Sequence, residues 1–100
     1  MSELDSTPQV RLALHGEIDA ATARNGIALL MNASPCPGDA VTLDLSDVTF
    51  IDSSGVSMLL KIRSYLDAMG CQLALAHPSP PVVRVLTLLG LTEQFPTHNA

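Results

Sequence analysis

Hydrophobic and polar positions alternate over residues 41–46, where Val41, Leu43 and Leu45 are interleaved with Thr42, Asp44 and Ser46, the period of a β-strand. A second short apolar run, Val48-Thr49-Phe50-Ile51, is closed by Asp52-Ser53-Ser54-Gly55. From Val56 onward the period changes. Val56, Leu59, Leu60, Ile62, Tyr65, Leu66 and Met69 fall on one broad face with Ser57, Lys61, Ser64 and Asp67 between them, which predicts an amphipathic helix that Gly70 stops. Upstream, residues 10–14 alternate and predict a first strand, and residues 15–19 read as a turn. Asp19 is placed to cap a helix over residues 20–31, with Ala21, Ile27, Leu30 and Met31 facing the core and Gly26 weakening its middle. Pro35, Pro37 and Gly38 forbid its continuation. Downstream, residues 71–76 alternate as a strand, and His77-Pro78-Ser79-Pro80-Pro81 is a rigid turn with Ser79 as a candidate cap. A last helix over residues 81–89 carries Val82, Val85, Leu86 and Leu89 on one stripe and leaves Val83 and Leu88 as exposed apolar surface; Leu91 and Phe95 are expected to fold back onto the core.

Strand, helix, strand, helix, strand, helix implies parallel pairing through right-handed crossovers. The expected fold is α/β: a small, mostly parallel sheet with helices packed mainly on one face. A further strand is expected at one edge, from the N-terminal residues or from residues 48–51. Residues 1–8 read as a flexible polar leader, 9–96 as the domain and 97–100 as a tail.

Composition narrows the function. A 47% hydrophobic content with two Phe, one Tyr and no Trp predicts an aliphatic core. A net charge of -5 without a Lys/Arg cluster argues against nucleic acid and against an anionic membrane surface. With no membrane-length apolar run and no signal pattern, a cytoplasmic location is expected. Cys36 and Cys71 lie far apart in sequence, in no metal-like spacing, and are expected to be reduced.

The junction at residues 52–55 holds the most distinctive chemistry. Asp52 and Ser53 are both candidates to cap the helix that follows, through a side-chain oxygen accepting from first-turn amides. Either choice leaves Ser54 in the first turn with an outward hydroxyl. Gly55 beside it invites close approach by a partner or a kinase, and a phosphate on Ser54 would sit at a helix N-terminus. The plainer reading is an ordinary strand-to-helix turn with a spare serine. Asp44, Asp47 and Asp52 form an acidic rim that Glu17 and Asp19 are expected to join, and a phosphoserine arriving there would act on an interface. The chain has no phosphate-binding glycine loop and no nucleophile elbow, and nothing brings His15, His77 or His98 to Ser54. No cofactor, metal site or catalytic residue is expected.

Three blocks carry a family resemblance: Gly16-Glu17-Ile18-Asp19-Ala20-Ala21-Thr22-Ala23, residues 43–55 around Asp52-Ser53-Ser54-Gly55, and residues 78–91. The chain resembles the anti-sigma factor antagonists, single STAS domains that regulate bacterial alternative sigma factors. The resemblance implies that the unphosphorylated protein binds a cognate anti-sigma factor, which is also a serine kinase, and so frees a sigma factor. It implies phosphorylation of Ser54 as the off-switch, a serine phosphatase as the reset, and a protein that is monomeric when free. Asp52 supports the phosphosite, Ser53 and Gly55 complete its motif, and the turn at Glu17 and Asp19 helps form the docking surface. Two departures stand out. Few residues precede the strand at 10–14, where the family commonly has another strand, and the connection over residues 32–39 is unusually ornate. The rival role is a non-catalytic STAS scaffold or a regulatory subunit of a signalling complex or of lipid-transport machinery.

Overall fold

The structure is a computed structural model and describes residues 9–98. Strand β1 spans Gln9–Ile18, helix α1 Ala23–Ala33, β2 Ala40–Ile51, α2 Ser53–Ala68, β3 Gln72–Ala76 and α3 Pro80–Leu88; a 3-10 turn at Thr92–Gln94 leads to β4, Thr97–His98. The strands form one parallel sheet in the order β1-β2-β3-β4. One aliphatic cluster joins Leu14 and Ile18 of β1, Leu43 and Leu45 of β2 and Leu75 of β3 to Leu30, Leu59, Val82 and Leu86 of the three helices. The opposite face of β1 presents Arg11, Ala13, His15 and Glu17, all exposed. The helices therefore cover mainly one face, as expected.

The two apolar runs at 41–46 and 48–51 are one strand. Ala13 pairs with Asp44 but His15 with Asp47, and Gly16 pairs with Val48 but Glu17 with Phe50, so β2 accommodates an extra residue twice. Each bulge delays the next inward side chain by one position, and burial runs Val41, Leu43, Leu45, Val48, Ile51. Residues 48–51 are thus not an edge strand. They extend β2 against the far half of β1, so residues 15–18, expected to be a turn, are strand as well. Gly16 meets the second bulge with φ +71°, a backbone angle that glycine adopts without the Cβ penalty of other residues.

The fourth described strand does not come from residues 48–51; the N-terminal leader at 1–8, the other expected source, lies outside the described residues. Thr97 and His98, in the segment read as a tail, pair beside Leu75 and Ala76 of β3. Phe95 anchors the approach, 1% exposed in the core.

Helix α1 begins three residues later than the sequence suggests. The Asp19 carboxylate does accept backbone amides, those of Ala21 at 3.0 Å and Thr22 at 3.1 Å, but it closes a turn ahead of the helix. Thr22 is the N-cap residue, without a side-chain cap bond. Ala21 and Met31, expected in the core, are exposed; Leu30 and Gly26 are buried. Gly26 sits inside an unbroken α1 and permits its close packing on α2: a Cβ there would meet the Met58 Sδ at 2.8 Å. In α3, Ser79 is the N-cap residue and is buried, yet its hydroxyl makes no cap bond. Leu89, expected on the core stripe, is exposed together with Val83 and Leu88.

Candidate functional site

The junction at Asp52 lies at the C-terminal end of β2, beside the C-terminal end of β1. The backbone N–H of Asp52 donates to the Ile18 carbonyl at 3.3 Å, and Ile18 is the register partner of Ile51. This bond sets Glu17 and Asp19, on either side of Ile18, next to the start of α2. Asp52 is the cap. Its backbone is extended, and its Oδ1 accepts from the N–H of Ser54 at 2.9 Å and of Gly55 at 3.3 Å. Ser53, the other candidate, is the first helical residue and is exposed.

Ser54 follows in the first turn. It is half-buried, less open than Ser53, and its hydroxyl makes no hydrogen bond among the described residues. Gly55 does not face a partner. It is buried, and a Cβ on it would fall 2.6 Å from Ile51 Cγ1, 2.9 Å from Ile18 Cγ2 and 2.9 Å from the Ile18 carbonyl oxygen. The missing side chain lets the first turn of α2 lie directly on the ends of β1 and β2, which fixes where Ser54 sits.

Loss of the Asp52 carboxylate releases two first-turn amides at once. Asp52→Ala is expected to lower stability by about 1 kcal/mol (range about 0.5–2), whereas Ser53→Ala leaves the urea midpoint essentially unchanged. Equal losses in the two variants would contradict this assignment of the cap.

The expected acidic rim is divided. Glu17 is exposed, and its carbonyl accepts from the Thr22 hydroxyl at 2.7 Å. Asp19 is held by its own turn. Asp44 and Asp47 do not gather at the cap, because each finds a partner on the exposed sheet face. Asp44 lies 3.2 Å from Arg11 and accepts from both the N–H and the hydroxyl of Ser46; Asp47 lies 3.3 Å from the His15 imidazole. The Ser46 amide, then its hydroxyl and the Arg11 guanidinium, hold the Asp44 carboxyl below its ordinary range. Among the described residues no group of three or more His, Cys, Asp or Glu side chains is disposed to hold a metal ion. No helix among them is long and apolar enough to cross a membrane.

Two grooves flank the junction; the sequence indicated only the exposed apolar side of α3 that lines the second, through Leu88. One, of about 390 Å³, runs between β1 and α1 past Glu17, Ile18, Thr22, Asn25 and Met58. The other, of about 460 Å³, lies between the end of β2 and α3, lined by Phe50, Ile51, Pro81, Arg84 and Leu88. Phe50 is 47% exposed two residues before the cap. The signal for it was the lapse in alternation at Thr49 and Phe50, which marks a bulge that turns an aromatic ring outward.

A STAS domain profile matches residues 2–100. Over 59 residues the chain is 30% identical to the anti-sigma F factor antagonist of Paenibacillus polymyxa, covering 59% of this chain and 50% of that one. It is 34% identical over 53 residues to a STAS-domain containing protein of Pseudomonas aeruginosa (strain UCBPP-PA14), covering 53% and 52%. It is also 40% identical over 47 residues to sulfate transporter 3.1 of Arabidopsis thaliana, covering 47% of this chain and 7% of the transporter. The matched stretches thus span about half or less of the length of these relatives. The structure is similar to that of the anti-sigma factor antagonist SpoIIAA in its unphosphorylated form, with a TM-score of 0.71 and 25% identity over 92% of this chain and 81% of that one. The STAS domain of a SulP transporter from Vibrio cholerae shares the fold, with a TM-score of 0.67 and 20% identity over 90% and 73% of the two chains. With a STAS domain profile covering nearly its whole length, the chain belongs to the STAS domain family.

Proposed function

We propose that this protein is an anti-sigma factor antagonist controlled by phosphorylation of Ser54. The unphosphorylated form binds a cognate anti-sigma factor that is also a serine kinase, and so releases a sigma factor. Phosphorylation ends the complex, and a serine phosphatase restores binding. The protein is a cytoplasmic binding partner and kinase substrate, not an enzyme. The observation that carries this reading is the Ser54 hydroxyl, without a hydrogen bond among the described residues, on the first turn of a helix whose cap is already supplied by Asp52. Asp52 fixes the backbone around the acceptor, Ser53 and Gly55 set its position, and Glu17 and Asp19 border it. The similarity to the Paenibacillus polymyxa antagonist and to SpoIIAA supports the same role.

A second reading, a non-catalytic scaffold or a regulatory subunit of a larger assembly, is favoured by the similarity to transporter STAS domains. Site-mapping mass spectrometry on protein recovered from its native cells, resting and stressed, separates the two. Phosphate on Ser54 with occupancy that changes between conditions supports the switch. Absence of phosphate in every condition, with the cognate kinase expressed, favours the scaffold.

A further inference from the structure

The two cysteines, 35 positions apart in sequence, meet at the end of the sheet opposite Ser54. Cys36 lies in the connection entering β2, and Cys71 immediately precedes β3; the first residues of these strands, Ala40 and Gln72, are register partners. The Cys71 thiol donates to the Cys36 carbonyl at 3.2 Å. Asp39 holds the turn in place over Cys71. Its carboxylate accepts the Cys36 N–H at 2.8 Å, its own N–H donates to the Cys36 carbonyl at 3.0 Å, and its carbonyl accepts the Gln72 N–H at 3.0 Å.

A sulfur 3.2 Å from the carbonyl oxygen of the other cysteine keeps the two Cα atoms within about 8 Å by covalent geometry. Disulfides span about 4.4–6.8 Å between Cα atoms, so closure requires rotation of the exposed Cys36 side chain together with a shift of its turn against the Asp39 bonds. The thiols differ in access: Cys36 is exposed, and Cys71 is 6% exposed.

We propose that Cys36 and Cys71 are an oxidative modification site that closes to a reversible intramolecular disulfide when a disulfide oxidant such as oxidised glutathione is present. The Cys36 thiolate attacks the oxidant, forming a mixed disulfide and expelling one glutathione thiolate. The Cys71 thiolate then attacks the Cys36 sulfur and expels the second. The two cysteines lose two electrons and two protons, and the oxidant is reduced to two thiols. The ring so closed contains all of β2 and α2, the unit that carries Asp52 and Ser54, while the bond itself lies away from them. The proposal does not depend on the phosphorylation reading.

Intact-mass measurement of the full chain in oxidised glutathione tests it. Wild type is expected to lose two hydrogens as a monomer, to regain them with a reductant, and to melt at a higher temperature when oxidised because its unfolded state is constrained. Cys71→Ser is expected to stop at the glutathione adduct on Cys36, and Cys36→Ser to remain unmodified while folded. Wild type that accumulates the adduct without closing, or that crosslinks only between molecules, overturns the proposal. Should Cys71→Ser fail to fold, the wild-type mass and the exposed-site variant Cys36→Ser still decide it.

Discussion

Gly55→Ala is expected to destabilise the domain by about 1–3 kcal/mol, although alanine is the better helix former by about 1 kcal/mol. The added methyl would enter at 2.6 Å from Ile51 and 2.9 Å from the Ile18 side chain, distances that carbon atoms do not sustain. The third neighbour decides the sign. It is the Ile18 carbonyl oxygen, also at 2.9 Å, and that carbonyl accepts the Asp52 N–H. The backbone cannot give way without loosening the bond that joins β1 to the cap. Gly26→Ala is the internal control. Its added methyl meets the Sδ and Cε of Met58 at 2.8 and 3.2 Å, the far end of a flexible side chain that can turn aside. There the gain in helix propensity offsets most of the crowding, and a change within about 0.5 kcal/mol is expected. Urea unfolding with an unchanged slope would show this as a lower midpoint for Gly55→Ala alone. Equal midpoints for the two variants would contradict the distinction between a rigid and a yielding neighbour.

The contrast between the two glycines also marks what the sequence could reveal. Alternation in residues 41–46 and the helical period from Val56 were legible because burial on one face dictates both patterns. The single strand β2 was not legible, because its two bulges interrupt the alternation that would have joined its halves. Asp19 gave the right chemistry at the wrong place: an aspartate that accepts amides two and three residues ahead serves an Asx turn as well as a helix cap. Strand β4 has two residues and no period of its own; it exists because β3 offers an edge. At the candidate site the motif Asp52-Ser53-Ser54-Gly55 was legible, and the division of labour within it was not. Which oxygen caps, which serine lies more open and which way Gly55 faces depend on the phase at which α2 leaves β2. That phase is set by Ile18 and Ile51, packed beneath the turn.

On the proposed function, phosphorylation of Ser54 is expected to weaken binding of the cognate anti-sigma factor by about 100-fold or more, because an interface fitted to a neutral serine must either desolvate the dianion or lose contact there. A free helix N-terminus would welcome the phosphate. Here the Ser54 and Gly55 amides already serve the Asp52 carboxylate, so the phosphate arrives beside a negative charge and must compete for the same donors. Glu17, exposed near the neighbouring strand end, carries a further negative charge on a chain whose net charge is -5. The surface between the two grooves is therefore expected to become hard for a partner to cover. Calorimetry with the cognate partner is expected to show near-normal affinity for Ser54→Ala, a partial loss for Ser54→Asp, whose single carboxylate carries less charge than phosphate, and the full loss for the phosphorylated protein. In the presence of kinase and ATP, Ser54→Ala is expected to stay bound while wild type is released. Release of Ser54→Ala under those conditions would place the switch on another residue, and unchanged affinity of the phosphorylated protein would show that charge at this position does not govern docking.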